Sequence, residues 1–295
     1  MRIAVVTTSY PESPGDPSGH FVLAEVVELR ALGHDVEVVT PRPGGAFGWP
    51  GVAARVRAFP PRILEIGDFV RNARAIVTRG GFDRVVAHWV VPSAFPIAMD
   101  SRSPLDAVSH GGDVRLLATL PAPVRDDVVT RISRRAERWR FVSEALLSSL
   151  FRTLGKGART ELDRVATVVP PPLEIPHISP ENVAMRRTSG RPLFVSVGRL
   201  VHKKRVDRVL YHVADRQKRG EPVDLVVVGD GPERPSLTRL AERLSVPARF
   251  VGKTSRPEAL AWIAAADALA FASEEEGLST VLREAAALGT AVIHV

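Results

Sequence analysis

Short runs of β-branched and aliphatic residues alternate along the chain with longer stretches whose apolar positions recur at helical spacing. That is the pattern of a parallel sheet wrapped by helices. In the first half, residues 3–7, 36–40 and 84–88 read as buried parallel strands, because apolar side chains fill successive positions. Residues 21–32 carry apolar positions at helical spacing and stop at Gly33, where a C-cap glycine belongs. Residues 165–176 contain Pro170, Pro171 and Pro172 and read as stiff, extended chain. A second strand series then begins, at 193–197, 225–228, 249–251, 268–271 and 291–295, with helices filling the gaps. The pattern predicts an α/β chain of two Rossmann-like lobes: a first lobe over 1–172, a passage over 173–191, and a second lobe over 192–295. Ligands of open parallel sheets bind beyond the carboxyl ends of the strands, so functional residues should follow strands directly. Neither lobe carries Gly-x-Gly-x-x-Gly; Gly229-Asp230-Gly231 lacks the third glycine, which disfavours a dinucleotide site.

The acidic run Ser273-Glu274-Glu275-Glu276-Gly277-Leu278-Ser279-Thr280 follows the strand at 268–271 and leads into a helix carrying Glu284. Gly277 allows a tight turn, and Ser279 or Thr280 can cap the helix. Exposed amides at that helix start suit a diphosphate. Glu276 on the loop and Glu284 in the helix can then face one cleft, one toward a sugar hydroxyl and the other toward a ribose diol. A solvated acidic run beside a capped helix accounts for the same spacing. Gly198-Arg199-Leu200 through Lys204 follows the second lobe's first strand. Arg199 and Lys204 there can neutralise a diphosphate and the charge that develops as it leaves. Read alone, this is a basic loop.

Composition narrows the picture in three ways. At 295 residues the chain is long for one core and short for two complete α/β lobes. No cysteine is present, which excludes disulfides and thiolate metal sites and favours a cytoplasmic protein. No apolar run reaches the ~20 residues of a membrane span, and no signal-peptide pattern opens the chain. The net charge of +7 would suit phosphorylated substrates or an anionic surface, but it is mostly arginine and fits a compositional bias equally well. Nucleic acid is disfavoured, because the basic residues are not interleaved with stacking aromatics.

Taken in order and spacing, these segments resemble glycosyltransferase family 4, of the GT-B fold, over nearly the whole chain. Glu276 and Glu284 match the family's glutamate pair, within Glu-Gly-Leu-Ser-Thr-Val-Leu-Arg-Glu-Ala, and Gly198 to Lys204 matches its Gly-Arg-Leu-x-x-x-Lys loop. Val227 to Glu233 and Phe250-Val251-Gly252 match further strands and turns. In the first lobe Ser18-Gly19-His20-Phe21-Val22, Gly33-His34-Asp35-Val36, Ala87-His88-Trp89 and Ser109-His110-Gly111-Gly112-Asp113-Val114 do the same. The resemblance implies a retaining hexosyltransferase that takes a nucleotide-diphosphate sugar as donor and a lipid-linked, polysaccharide or small-molecule acceptor. It assigns Glu284 to the ribose, Arg199 and Lys204 to the diphosphate, and Glu276 to the transferred sugar. Amides of Gly277, Leu278, Ser279 and Gly19 would assist, and the backbone near Val251 would meet the base. His110 would line the sugar and acceptor side as a catalytic residue, with His88, Trp89 and Asp113 on the acceptor side. Neither a cofactor nor a metal is implied, since Arg199, Lys204 and helix-end amides supply the positive potential.

Pro171-Pro172 departs from the Asn-Gly that many relatives carry there. The family's pattern also continues past Val295 with a Gly-Gly-x-x-Glu segment and a returning helix. The resemblance therefore implies an incomplete second lobe with one face of its last strand bare. A nucleotide-sugar binder without turnover, or a phosphorylase or epimerase on the same fold, are the competing readings. Arg131, Arg134, Arg135 and Arg138 fall on one helical face with Ile132, Ala136 and Trp139 on another. That face reads either as a peripheral contact with an anionic membrane's inner surface or as a solvated face of an arginine-rich helix.

Overall fold

A computed structural model of the chain describes residues 1–48, 51–187, 189–274 and 278–295. Contacts divide it into two compact units, Met1–Pro14 with Ser18–Pro172, and Gly15–Pro17 with Leu173–Val295.

In the first unit, strands β1 (Arg2–Val6), β2 (Asp35–Val39), β3 (Arg84–His88), β4 (Leu105–Ser109), β5 (Ala136–Phe141) and β6 (Ala166–Val168) form one sheet. Its order is β2-β1-β3-β4-β5-β6, with every pairing parallel. Ile3, Val5, Val36, Val86 and Val108 pack one face against Val22 and Val26 of the His20–Ala31 helix. That helix stops as the sequence predicts. Gly33 takes φ 82°, its N–H donates to Arg30 O, and His34 N–H donates to Leu29 O, the paired bonds of a Schellman cap. The next residues enter β2 directly.

Three strands of this sheet are additional to those read from the sequence, and one of them corrects the basic helix. The Ala122–Arg135 helix ends at Arg135, and Ala136 begins β5. Arg138 therefore projects from a strand, where it donates to Asp106 of β4 at 2.7 Å. Arg131 pairs with Asp127 and Arg134 with Glu161, while Arg135 donates to the carbonyl oxygens of Ser101 and Ser103. Arg131, Arg134 and Arg135 stay on the helix with partners within the chain, and Arg138 alone leaves the helical face. β6 occupies the start of the stiff stretch at 165–176, as the sheet's edge.

The second unit holds β7 (Leu193–Val197), β8 (Asp224–Val228), β9 (Ala248–Gly252), β10 (Ala268–Phe271) and β11 (Ala291–His294), the five strands expected. Their order is β11-β10-β7-β8-β9, again all parallel. Apolar cores lie on both faces, one around Val209, Leu210 and Leu225, the other around Leu260, Trp262 and Leu269. The latter also receives Ile175, Ile178 and Val183, so residues read as a passage cover the second sheet. Val292 and Ile293 of β11 are half-buried, one against each core.

Each strand order reverses once, between β1 and β3 in the first sheet and between β7 and β10 in the second. Loops that leave neighbouring strands in opposite directions open a crevice at such a point. The loops after these four strands carry most of the residues singled out above.

Candidate functional site

In the second unit, the basic loop after β7 and the start of the acidic run after β10 line one recess. Its walls include Gly198, Arg199, Lys204, Phe271 and Ser273. Main-chain bonds tie the two loops together, with Glu274 N–H donating to Lys203 O at 3.2 Å. The Glu274 carboxylate accepts from Arg205 and Arg208, so it braces the loop from behind. Glycines make the approach of neighbouring loops possible. A Cβ on Gly229 (φ 131°) would lie 1.9 Å from the carbonyl oxygen of Gly198, and one on Gly231 would lie 2.4 Å from that of Leu200. Leu200 N–H in turn donates to Asp230 O at 2.8 Å. Gly229→Ala is thus expected to push the Arg199 loop away and to lower stability by about 1–3 kcal/mol. A thermal melt checks this, and an unchanged melting temperature would show that the loops do not interlock.

Glu284 lies in the Thr280–Ala287 helix, 8% exposed, and accepts from Arg256 Nε at 3.0 Å. Burial raises its pKa, while the Arg256 guanidinium pulls it back toward the charged form. The same guanidinium also donates to Glu174 O. Arg256 was not legible from the sequence. Its only signal is position, at the start of a helix directly after β9, with Ser255 Oγ accepting from Glu258 N–H as the cap. Val251 is half-buried in β9 and packs toward Trp262. Ser279 stands at the N-cap position of the Thr280–Ala287 helix but makes no capping bond, contrary to expectation. Its Oγ is buried and unpartnered among the described residues. Leu278 beside it is half-buried; Glu276 and Gly277 lie outside the described residues.

In the first unit, Gly19 precedes the His20–Ala31 helix with φ 62°, and any Cβ there would sit 2.3 Å from Ser9 O. Only glycine lets the loop after β1 fold this closely onto the helix start. His88 ends β3 and His110 follows β4, and their rings meet with Nδ1 of His88 3.0 Å from Nε2 of His110. Phe21 and Trp89 pack on the His110 ring, at 4.8 and 4.5 Å between centroids. Trp89 takes a left-handed φ of 57°, a strained state for so bulky a side chain. Its N–H bond to Val108 O and its ring contacts hold it there.

Asp113 braces the turn that carries His110. One carboxylate oxygen accepts from the N–H groups of His110 and Gly111, the other from that of Val90. Ser109 Oγ accepts from the Trp139 indole and also bonds the Asp113 carboxylate. At 2% exposure Asp113 points inward, and the acceptor-side place expected for it belongs to the turn it supports. His88, 1% exposed, likewise lies behind His110. Burial, and then Arg140, depress the His88 pKa to about 3. His110 is held well below 6.5 by burial and by His88. Both rings are neutral at pH 7.

Residues 19–173 match the model of Glycosyltransferase Family 4, and 181–295 that of Glycosyl transferases group 1. The GDP-mannose-dependent alpha-(1-6)-phosphatidylinositol monomannoside mannosyltransferase of Mycolicibacterium smegmatis is 30% identical, over 98% of this chain and 79% of its own length. The Mycobacterium tuberculosis protein of that name is 27% identical, over 99% and 80%. Among solved structures, sucrose-phosphate synthase from Thermosynechococcus elongatus superposes with a TM-score of 0.73 at 17% identity, covering 99% of this chain and 80% of that one. Anabaena HepE in complex with UDP and glucose does so with 0.63 at 19%, covering 100% and 80%. The two parallel-sheet units are those of the GT-B fold, and the chain belongs to glycosyltransferase family 4.

Proposed function

We propose that this chain moves a hexosyl group from a nucleotide-diphosphate sugar to a carbohydrate or lipid-linked acceptor, with retention at the anomeric carbon. The observation that carries this is the recess at the second sheet's switch point, where Arg199 and Lys204 stand over the ends of β7 and β10. Two cations held there by interlocked loops suit the charge of a departing diphosphate, which is largest in the transition state. Glu284 supplies a carboxyl group for the ribose diol, and Arg256 favours its charged form. In the first unit, His110 offers a neutral imidazole to a sugar hydroxyl, and the departing phosphate itself takes the acceptor's proton. Relatives named for GDP-mannose and a neighbour solved with UDP and glucose support the donor class. No step of this chemistry needs a metal.

A panel of nucleotide sugars, GDP-mannose first, tests the reading by thermal stabilisation and by transfer to lipid-linked and oligosaccharide acceptors, with and without chelator. Arg199→Ala and Lys204→Ala are each expected to weaken nucleoside diphosphate binding roughly tenfold and to leave nucleoside binding nearly unchanged. Equal loss of both ligands would sink the assignment. Binding without turnover would favour a degenerate binder, and turnover with inorganic phosphate or donor alone would favour a phosphorylase or epimerase.

A further inference from the structure

Behind His110 runs a chain of polar groups that no assigned role uses. Arg140 of β5 donates to Oε1 of Glu25 at 2.6 Å. The other oxygen of Glu25, on the His20–Ala31 helix, lies 3.7 Å from Nε2 of His88. His88 Nδ1 meets His110 Nε2 at 3.0 Å. Arg140 and Glu25 are 12% and 13% exposed, and His88 is 1% exposed. Among the described residues, His88 Nε2 is buried without a hydrogen-bond partner; the Glu25 carboxylate is the charge that faces this nitrogen, and Arg140, paired with the far oxygen of Glu25, also acts on the ring.

Two arrangements of protons satisfy the 3.0 Å contact between neutral rings. In the first, His88 donates from Nδ1. Its Nε2 then carries a bare lone pair aimed at the Glu25 carboxylate, and two electron-rich groups face each other in a buried site. In the second, His110 donates from Nε2. His88 then carries its proton on Nε2, pointing at the carboxylate. Coulomb attraction selects the second, and burial strengthens the preference because little water screens it. The 3.7 Å separation is too long for a hydrogen bond, so the preference is electrostatic. The tautomer of one imidazole thus sets that of the next.

We infer that Glu25 and His88 are positioning residues that lock His110 as its Nε2–H tautomer. His110 Nδ1 is then a permanent hydrogen-bond acceptor for a sugar hydroxyl. His110 would consequently receive a hydroxyl proton in a hydrogen bond and would not donate to a sugar oxygen. The role rests on the transferase reading above, but the tautomer does not.

Long-range nitrogen–proton NMR of histidine-labelled protein reads the tautomer directly at pH 7, with each ring assigned by its loss in His110→Asn and His88→Phe. The expected spectrum shows His88 and His110 both protonated on Nε2 and bare on Nδ1. A His110 ring protonated on Nδ1 would overturn the inference. In Glu25→Gln, which keeps shape but removes the charge, both His110 tautomers should be populated. There kcat should fall roughly tenfold, with donor KM changed by less than about twofold. A Glu25→Gln protein whose His110 stays fully on Nε2–H would also overturn it, since another group would then be setting the proton. If the wild-type spectrum is as expected but no donor is turned over, the tautomer stands and the transferase reading fails.

Discussion

Glu284→Gln is expected to weaken nucleoside diphosphate binding by roughly tenfold or more while the protein stays folded. A carboxylate has two oxygens and can serve two donors at once. One oxygen of Glu284 accepts from Arg256 Nε at 3.0 Å, and the proposed ribose contact needs the same group to accept again. Glutamine offers one carbonyl oxygen and an amide that only donates, so with that oxygen on Arg256 it meets the ribose without a charged acceptor. Losing a hydrogen bond to a charged group costs about 1.5–3 kcal/mol, which is roughly tenfold or more in affinity. Glu284→Ala is the poorer probe. It strands the Arg256 guanidinium, 15% exposed, and breaking such a pair destabilises by about 3–5 kcal/mol. Calorimetric titration of both variants with nucleoside diphosphate and with nucleoside separates the effects. The ribose assignment predicts that glutamine weakens both ligands; unchanged affinity for both would remove it.

The second sheet was legible strand by strand because β7, β8 and β10 are apolar runs largely buried on both faces, and the half-exposed edge strands β9 and β11 keep a short apolar stretch each. The first sheet was half hidden, and the reason is charge. β5 reads Ala-Glu-Arg-Trp-Arg-Phe, and its arginines continue the three- and four-residue spacing of the helix before it, which masks the alternation of Trp139 and Phe141. Only the partner strand shows why such a segment is β: Asp106, buried in β4, answers Arg138 across the ladder. The site divides in the same way. Arg199, Lys204 and Glu284 were singled out because they follow strands that could be read, whereas His110 came only from the resemblance, since β4 before it was not read. Arg256, Glu25 and Arg140 were not singled out, because their roles come from pairings across 28 and 115 positions that no local pattern encodes. His88 and Asp113 were read as lining residues, though burial places both behind His110. A motif reports that a residue sits beside a site, and only packing tells which way it points.

Acid should unfold the first unit through its paired histidines, His88 and His110. Their folded pKa values are depressed, His88 to about 3 and His110 well below 6.5, while the unfolded chain titrates near 6.5. Folding therefore holds both rings neutral. Their contribution to stability is complete above pH 6.5 and is lost as pH falls from 6.5 toward the folded values. Within that window each ring costs up to about 1.4 kcal/mol of stability per pH unit. Glu25 favours protonation of His110 and limits the loss, whereas Arg140 opposes protonation of both rings and enlarges it. Asp113 acts with the opposite sign. Burial raises its pKa above 3.8, so its contribution is complete below 3.8 and is lost as pH rises through the folded value. Its protonation therefore recovers stability as pH falls and opposes the histidines, and the comparison with a His88 variant isolates their share. Hydrogen exchange in β3 and β4, followed between pH 7.5 and 5 after correction for intrinsic exchange rates, should report a falling opening free energy. Replacing His88 with phenylalanine, which keeps a ring of similar size against His110, should remove about half of the slope. The variant is expected to be the less acid-sensitive protein, whatever its stability at pH 7.5. An opening free energy that stays flat from pH 6.5 to 5 in the wild type would mean that the rings are reached by water or already charged, and the neutral pair would not exist.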